Sequence, residues 1–213
     1  MKKTLILALA VMFVIGITAV SFADTSSSAH NLTARIGATE ICAVCHSPHD
    51  SGANRAANGP LWNHELSGLT FSMYQTDIIG NEAAPTEPGG TSRLCLGCHD
   101  GVTGLEAYGG VTTAVDVITG TKKIPDLNGT DGDLQGTHPI SVQYVAAKSG
   151  LVSDITNNLL GIDPIENLLI NGAIECSTCH DVHDNTAGGE STGTNMLRMS
   201  NAASALCLTC HVK

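Results

Sequence analysis

The longest apolar run of this chain lies at its start. Residues 5–20 carry no charge, follow Met1-Lys2-Lys3 and precede Ser21-Phe22-Ala23. A basic start, a short apolar stretch and small residues at its end are typical of a cleaved export signal. A single transmembrane helix is the alternative, although the run is close to the ~17-residue lower limit for spanning a bilayer. We therefore predict that residues 1–23 are a signal peptide, that Asp24 starts the mature chain, and that the exported protein has no membrane span.

Beyond this run, apolar residues occur in short stretches between Gly, Ser, Thr and Asn, which predicts a mostly irregular backbone. Residues 111–119 are rich in β-branched side chains and predict one or two short strands. Residues 168–175 carry Asn171-Gly172 between apolar residues, which predicts a hairpin leading into the segment that follows. A helix starting at Asp163-Pro164, with Glu166 at its third position and the same glycine as its stop, also fits the capping rules.

Composition limits what the mature chain can do. Removing 23 of 213 residues leaves 190, and the loss of Lys2 and Lys3 changes the formal net charge from −10 to −12. No nucleic-acid partner is expected, because neutralising phosphates requires a positive face. The mature chain keeps five aromatic residues: Trp62, Phe71, Tyr74, Tyr108 and Tyr144. Aromatic side chains usually supply much of a core's apolar area, so we expect something other than protein to fill part of the interior.

All eight cysteines fall into four copies of the pattern C-x-x-C-H. The copies are Cys42-Ala-Val-Cys45-His46, Cys95-Leu-Gly-Cys98-His99, Cys176-Ser-Thr-Cys179-His180 and Cys207-Leu-Thr-Cys210-His211. In this pattern two thiols can bond to the vinyl groups of haem while the adjacent histidine reaches the iron, which is the c-type haem attachment signature. A zinc half-site, a thioredoxin-like redox pair or a disulfide framework could use the cysteines, but none of them requires the histidine. We therefore predict four covalent haems, with the motif histidines as iron ligands.

Histidines outside the motifs could supply the second ligand of each iron. They are His30, His49, His64, His138 and His183. Four haems need four such ligands, so the supply exceeds the demand by one. Methionine could compete and would raise the reduction potential, but Met73, Met196 and Met199 lie in no distinctive context. We interpret all four irons as bis-histidine, low in potential and closed to substrate.

His49 and His183 each follow a motif in the pattern C-x-x-C-H-x-x-H. The segment after such a motif is expected to start a short helix, which would place His183 about one turn, near 5 Å, beyond His180. The porphyrin bound to His180 would then block His183 from the far face of the same iron. Each of these two histidines is therefore predicted to ligate a different haem and to hold two haems together; a solvated turn histidine is the alternative.

The order of one C-x-x-C-H-x-x-H motif and one plain motif occurs twice. Residues 42–50 parallel residues 176–184, and residues 92–99 parallel residues 204–211. This repeat predicts two haem-pair modules, residues 24–105 and residues 172–213, joined by a connecting segment, residues 106–171.

The simplest wiring assigns each second ligand to a haem near it in sequence. His49 then ligates the haem of the second motif, and His183 that of the fourth. His138 precedes the third motif and is expected to serve its haem. Either His30 or His64 serves the first motif, and the other is spare or completes a haem in the next molecule.

The motifs resemble those of the multihaem c-type cytochromes with doubled C-x-x-C-H motifs. The matching stretches are Ile41–Asp50, Pro60–Asn63, Leu94–Gly101, Gly136–Ile140, Glu175–Asn185 and Asn201–Lys213, about a quarter of the mature chain. With four motifs and this length, the chain is similar to outer-surface tetrahaem cytochromes that polymerise into extracellular filaments. The resemblance implies a coil-rich fold with haems forming the core, short helices at the motifs and a few short β-hairpins. It also implies a homopolymer joined end to end, a continuous chain of bis-histidine haems, one axial histidine supplied across the subunit interface, and a location at the cell surface or outside the cell.

Electron transfer to redox partner proteins or extracellular acceptors is thus the predicted function, without enzymatic activity. A multihaem reductase would need an open iron, typically marked by a C-x-x-C-K motif or a missing ligand, and the sequence has neither feature. A monomeric periplasmic electron shuttle is the alternative to a filament. Two propionates and one ferric charge on each haem would change −12 to about −16, so a polymer would need a link stronger than surface attraction, such as a trans iron–histidine bond.

Overall fold

The computed structural model describes residues 25–49, 61–74, 84–113, 115–124, 132–146, 148–156, 164–183 and 196–212. The helices among them are α1 (Thr33–Ile36), α2 (Gly90–His99), α3 (Ile165–Leu168), α4 (Cys176–Cys179) and α5 (Ala205–Cys210). Strands β1 (Val142–Gln143) and β2 (Ala173–Ile174) form an antiparallel pair, and short 3-10 helices cover Thr25–Ser27, Cys42–Val44, Gly120–Lys122 and Ala202–Ser204. None of the described helices has the length and apolar character needed to cross a membrane. The predicted signal peptide lies outside the described residues.

Two hydrophobic clusters pack on the first two cysteine motifs. The first cluster contains Phe71, Tyr74, Leu96, Leu134 and Val142. Leu96 lies between the two cysteines of the second motif and is only 2 % exposed. The second cluster contains Leu32, Ala38, Val44 and Leu105, with Cys45 and Cys98 packed against it. Each fully buried large apolar side chain contributes roughly 1.5–3 kcal/mol, so apolar burial directly fixes the position of these motifs.

The Asn171-Gly172 turn forms as predicted. Ile170 and Ala173 exchange two backbone hydrogen bonds of 3.0 Å. Asn171 and Gly172 have φ angles of 52° and 79°, the left-handed pair that a tight type I′ turn requires. The returning strand β2 then pairs with β1 and leads directly into the third motif.

A short helix also precedes this turn. It follows Pro164 and ends at Leu168, because Leu169 has an extended backbone with ψ of 143°. The prediction that this helix ends at Gly172 is therefore wrong, because the Asn171-Gly172 turn occupies the last positions of the predicted helix.

The described part of residues 111–119 contains no strand, so that prediction is wrong. Val115 is 87 % exposed, which leaves its branched side chain in solvent. The amides of Val115 and Asp116 donate to the carboxylate of Glu106 at 3.3 and 3.1 Å. Asp116 in turn accepts two hydrogen bonds from Arg35, of 2.7 and 2.6 Å. Side chains thus satisfy this backbone in place of a neighbouring strand.

Residues of the two predicted modules contact each other. Helix α2 packs against α4, and the Thr91 and Ser177 hydroxyls are 2.7 Å apart. The Cys176 amide donates to the Ser92 hydroxyl at 2.9 Å. The second and third motifs are therefore neighbours in space.

Candidate haem-attachment sites

The four motifs share one local conformation. In three of them the histidine amide donates to the carbonyl of the first cysteine: His46 to Cys42 (2.8 Å), His180 to Cys176 (3.0 Å) and His211 to Cys207 (2.9 Å). The remaining copy forms the end of α2. Residues at positions i, i+3 and i+4 share one face of a helical turn. Each turn therefore directs two cysteines and one histidine to the same side, as joint binding of one porphyrin requires.

The residue before the second cysteine is buried in every copy. These residues are Val44, Gly97, Thr178 and Thr209. Gly97 is the most confined, because a Cβ atom there would lie 2.5 Å from the carbonyl oxygen of Glu65. The inward position therefore anchors each motif and leaves the opposite face for the cysteines and the histidine.

Three short segments, which we call the histidine clamps, pair with the motif histidines through isolated β-bridges. The bridges join His46 to Trp62, His180 to Leu197 and His211 to Leu151. The residue before each partner has a left-handed backbone: Leu61 (φ 54°), Met196 (φ 48°) and Gly150 (φ 86°). The same backbone conformation therefore occurs in all three clamps, although their sequences have nothing in common.

The clamps explain why the helical turn does not continue past the histidine in the third and fourth motifs. His180 is extended, at φ −112° and ψ 142°, and His211 is similar, at φ −107° and ψ 139°. Pairing with a clamp holds these residues in a strand-like conformation, so the chain leaves the helical turn at the histidine. The predicted helical spacing between His180 and His183 is therefore wrong.

Three motif histidines each lie beside one histidine from outside the motifs. The ring centroids are 6.1 Å apart for His46 and His183, 6.1 Å for His99 and His30, and 6.3 Å for His211 and His138. Two imidazoles on opposite sides of one metal ion have metal–nitrogen bonds of about 2 Å, with each ring centre about 1 Å further out, so their centres are about 6 Å apart. The three separations therefore fit a metal ion held between each pair.

These pairs differ from the wiring that sequence proximity predicted. His183 lies beside the histidine of the first motif rather than the fourth, and His138 beside that of the fourth rather than the third. His30 lies beside the histidine of the second motif, where His49 was expected. The reason is that distant parts of the chain pack together: the Thr25 hydroxyl donates to the carbonyl of Val182 at 3.3 Å, which aligns the N-terminal segment with the residues after the third motif.

His49 and His64 remain as candidates for the third motif or as the spare ligand. His64 is 1 % exposed, and its Nε2 atom is 3.4 Å from Sγ of Cys98. His49 is exposed and adjoins residues outside the described range. The two candidates therefore differ in access, since His64 is enclosed by the protein and His49 can reach solvent.

Several imidazoles are oriented through a backbone carbonyl. The Nδ1 atom lies 2.7 Å from the Lys122 carbonyl for His99, 2.9 Å from that of Glu65 for His64, and 3.1 Å from that of Pro139 for His138. A proton on Nδ1 that donates to a carbonyl leaves the lone pair on Nε2, which is the usual arrangement of a metal-binding histidine. These three side chains are thus prepared to bind through Nε2.

His30 is held in its neutral form. Burial, followed by the nearby His99, His180 and His183, lowers its pKa to about 4. Its Nδ1 atom lies 2.8 Å from Sδ of Met196. Metal ligation needs the neutral imidazole, so the environment of His30 suits a ligand.

The eight cysteines are free thiols, and cysteines of successive motifs adjoin. Cys45 and Cys98 pack on one hydrophobic cluster, and the thiols of Cys95 and Cys176 are close enough to shift each other's pKa. The nearby Cys179 thiol adds to the rise in the pKa of Cys210. The cysteines of successive motifs therefore follow one another in space in the order of the motifs.

Thiol chemistry argues against a thioredoxin-like redox pair in the first, second and fourth motifs. Burial raises the pKa of Cys45 and of Cys210 to about 11 in each case and raises the pKa of Cys98 strongly. A redox-active pair needs a thiol whose pKa is lowered to near neutrality or below. These buried thiols are instead suited to remain protonated until they form a stable bond.

Trp62 is a candidate site residue that sequence reasoning did not select. Its ring lies 6.3 Å from that of His46 in an edge-on arrangement, and its buried Nε1 atom has no hydrogen-bond partner among the described residues. An unsatisfied buried donor costs about 1–3 kcal/mol. An acceptor beside His46, such as a carboxylate of a bound porphyrin, would satisfy this donor.

Within the part of the chain that the structure describes, no group of three His, Cys, Asp or Glu side chains is arranged to hold a metal ion. Neither a protein-family model nor a curated protein matches this sequence.

Proposed function

We propose that this protein transfers electrons through four covalently attached haems, each held by one C-x-x-C-H motif and capped by a second histidine. The observation that carries this proposal is the threefold recurrence of one motif histidine beside one non-motif histidine at 6.1–6.3 Å. A disulfide framework gives no reason for this pairing, and zinc half-sites do not require a histidine directly after the second cysteine of every motif.

The protein's own residues would attach, orient and enclose the haems, which supply reversible one-electron chemistry when bound. The thioether-forming residues are Cys42, Cys45, Cys95, Cys98, Cys176, Cys179, Cys207 and Cys210, and the first iron ligands are His46, His99, His180 and His211. His183, His30 and His138 would cap the first, second and fourth irons, and His49 or His64 the third. With both axial positions filled, no iron can bind a substrate, so the protein passes electrons and is not an enzyme.

The order of the attachment points supports a path through all four haems. Cysteines of the first and second motifs share a cluster, and those of the second and third motifs, and of the third and fourth, are close enough to influence each other's pKa. An electron entering at either end would therefore meet the haems in sequence order.

We propose further that the chain is a subunit of an extracellular filament that conducts electrons to external acceptors. The resemblance of its motifs to filament-forming tetrahaem cytochromes and its surplus of one histidine support this assembly. His30 and His64 were the expected donors across the interface. Because His30 lies beside His99 and His64 is buried, the exposed His49 is now the better candidate for a ligand given to the next subunit.

A monomeric periplasmic shuttle is the second candidate, because the strong negative charge of the chain opposes self-association at low salt. Negative-stain electron microscopy of the exported protein distinguishes the two. Filaments support the conduit, and uniform small particles support the shuttle.

Haem stoichiometry tests the electron-transfer function itself. We expect the protein, made in a host with c-type haem maturation, to carry four haems by intact mass and by absorbance, and a Cys42→Ala/Cys45→Ala variant to carry three. Reduced wild-type protein should bind no carbon monoxide. A chain without covalent haem, or one whose irons mostly bind carbon monoxide, would overturn the proposal.

A further inference from the structure

Glu175, which directly precedes the third motif, is a buried carboxylate that no haem ligation requires. It is 4 % exposed. Carboxylates are seldom fully buried unless they are paired, so its position needs a reason beyond solubility.

The Glu175 side chain lies at the start of both central motif helices. At the start of α4, the helix of the third motif, Glu175 and Thr178 form a capping box. The Glu175 side chain accepts from the Thr178 amide, and the Thr178 side chain accepts from the Glu175 amide. Across the interface, its Oε2 atom accepts a hydrogen bond of 3.3 Å from the Ser92 amide in the first turn of α2. A Cβ atom on Gly90 would lie 2.7 Å from Oε1, so the glycine at the start of α2 makes room for the carboxylate. One carboxylate thus joins the helices that carry the second and third motifs.

The hydrogen-bond partners of this carboxylate are neutral. They are backbone amides and the hydroxyls of Ser92 and Ser141, the latter at 3.2 Å. The raised pKa of Glu175 follows first from burial, which the hydrogen bonds only partly offset. A buried carboxylate with no cation among its described neighbours is poised to respond to a nearby change of charge.

The other titratable groups around Glu175 are less suited to respond to a change of charge in the interior. On its own helix and on α2, the thiols of Cys176 and Cys95 become uncharged thioethers when haem is attached. Arg93 on α2 and Glu166 on α3 are exposed, where solvent screens them. Tyr74 interacts with Cys176, and burial raises its pKa further from neutrality.

We propose that Glu175 is the proton acceptor that couples to electron uptake at the haems of the second and third motifs; this inference rests on the proposed function. Glu175 adjoins Cys176 in sequence and reaches the turn before Cys95 through Ser92. With haem attached at these motifs, uptake of one electron from an external one-electron donor would remove one positive charge beside Glu175. The carboxylate would then take up one proton from solvent, which would restore the charge of the interior. The half-buried Ser141 hydroxyl, which also accepts from the Gly89 amide at 2.9 Å, connects the carboxylate to the surface.

Redox titration over a range of pH tests this coupling. In wild-type protein, the midpoint potentials of two haems should fall as pH rises through the titration of Glu175, because the ionised carboxylate stabilises the ferric state. In Glu175→Gln this part of the fall should be lost, with both potentials raised at high pH and matching wild type at low pH. Haem propionates titrate in every variant, so the difference from wild type is the diagnostic quantity.

Two variants separate the charge of Glu175 from its role in packing. Glu175→Asp keeps a carboxylate and should retain the pH dependence, whereas Glu166→Gln removes an exposed carboxylate from the adjoining helix and should change nothing. Wild-type pH dependence in a four-haem Glu175→Gln protein, or an equal loss in Glu166→Gln, would overturn the proposal.

Infrared difference spectroscopy gives a measurement that needs no stable variant. Reduction of wild-type protein should produce the carbonyl band of a newly protonated carboxyl group, and Glu175→Asp should shift that band. Wild-type protein with four haems and no such band would refute the coupling while leaving electron transfer intact. Absence of covalent haem would overturn both proposals.

Discussion

The imidazole rings of His46 and His183 lie 6.1 Å apart with their planes within 20° of parallel. One belongs to the first cysteine motif and the other follows the third motif, so a single site draws on both predicted modules. The contact of α2 with α4 gives the same result at the level of helices. The two copies of the repeat therefore share a local conformation, and residues from both copies pack together in the fold.

Under the proposed function, replacing His183 should open the iron of the first motif. In His183→Ala we expect one of four reduced haems to bind carbon monoxide, because its second axial ligand is gone. Flash photolysis or difference spectroscopy counts the responsive haem.

Deleting one motif at a time identifies that haem. In a Cys42→Ala/Cys45→Ala background, His183→Ala should add no carbon monoxide binding, whereas in a Cys207→Ala/Cys210→Ala background the binding should persist. The reverse pattern would restore the pairing with the fourth motif that sequence proximity predicted.

Leu96 should contribute more to the stability of the fold than Leu208, its counterpart in the fourth motif. Leu96 is 2 % exposed and packs with Phe71, Tyr74 and Leu134, while Leu208 is only partly buried. Leu96→Ala should lower the free energy of unfolding by about 2–5 kcal/mol through lost burial and the cavity left behind. Denaturant unfolding measures this loss, and equal effects of Leu96→Ala and Leu208→Ala would contradict the packing described.

Relief of backbone strain in the first histidine clamp should stabilise the protein. Leu61 has φ of 54° and is 47 % exposed, so its side chain gains little that would offset the left-handed backbone. Because that conformation costs a non-glycine residue roughly 1–2 kcal/mol, Leu61→Gly should raise the free energy of unfolding by up to about 1 kcal/mol. Leu61→Ala keeps the strain and serves as the control; a gain in Leu61→Ala equal to that in Leu61→Gly would exclude strain relief.

The Arg35–Asp116 pair should stabilise the fold only above acidic pH. Arg35 donates two hydrogen bonds to the Asp116 carboxylate and lowers its pKa. Stability from a depressed carboxyl pKa is present above the ordinary aspartate value and is lost as pH falls through the folded value. The difference in unfolding free energy between wild type and Arg35→Ala should therefore shrink as pH falls from about 5 to about 2. A difference that stays constant over this range would show that the carboxylate is not involved.

The sequence predicts features that depend on near neighbours. Asn171-Gly172 forms its turn because both residues tolerate a left-handed backbone, whatever packs around them. The conformation of each cysteine motif is local too, since one hydrogen bond between residues four apart defines it.

Features that depend on distant contacts could not be predicted in the same way. Val115 has strand propensity but faces solvent, and a glutamate side chain takes the place of a partner strand. Nothing in the residues around His183 indicates that the N-terminal segment packs beside it. The clamps at Leu61, Met196 and Gly150 share a backbone conformation without a shared residue type, so no motif search would find them.

The separation of His46 from His183 along the chain bears on biosynthesis under the proposed function. A polypeptide exported N-terminus first presents Cys42, Cys45 and His46 long before residue 183 has crossed the membrane. Attachment of the first haem and closure of its iron are then separate events in time. During that interval the newly made cytochrome would carry a reactive iron open on one side, and rapid delivery of the remaining chain would protect it.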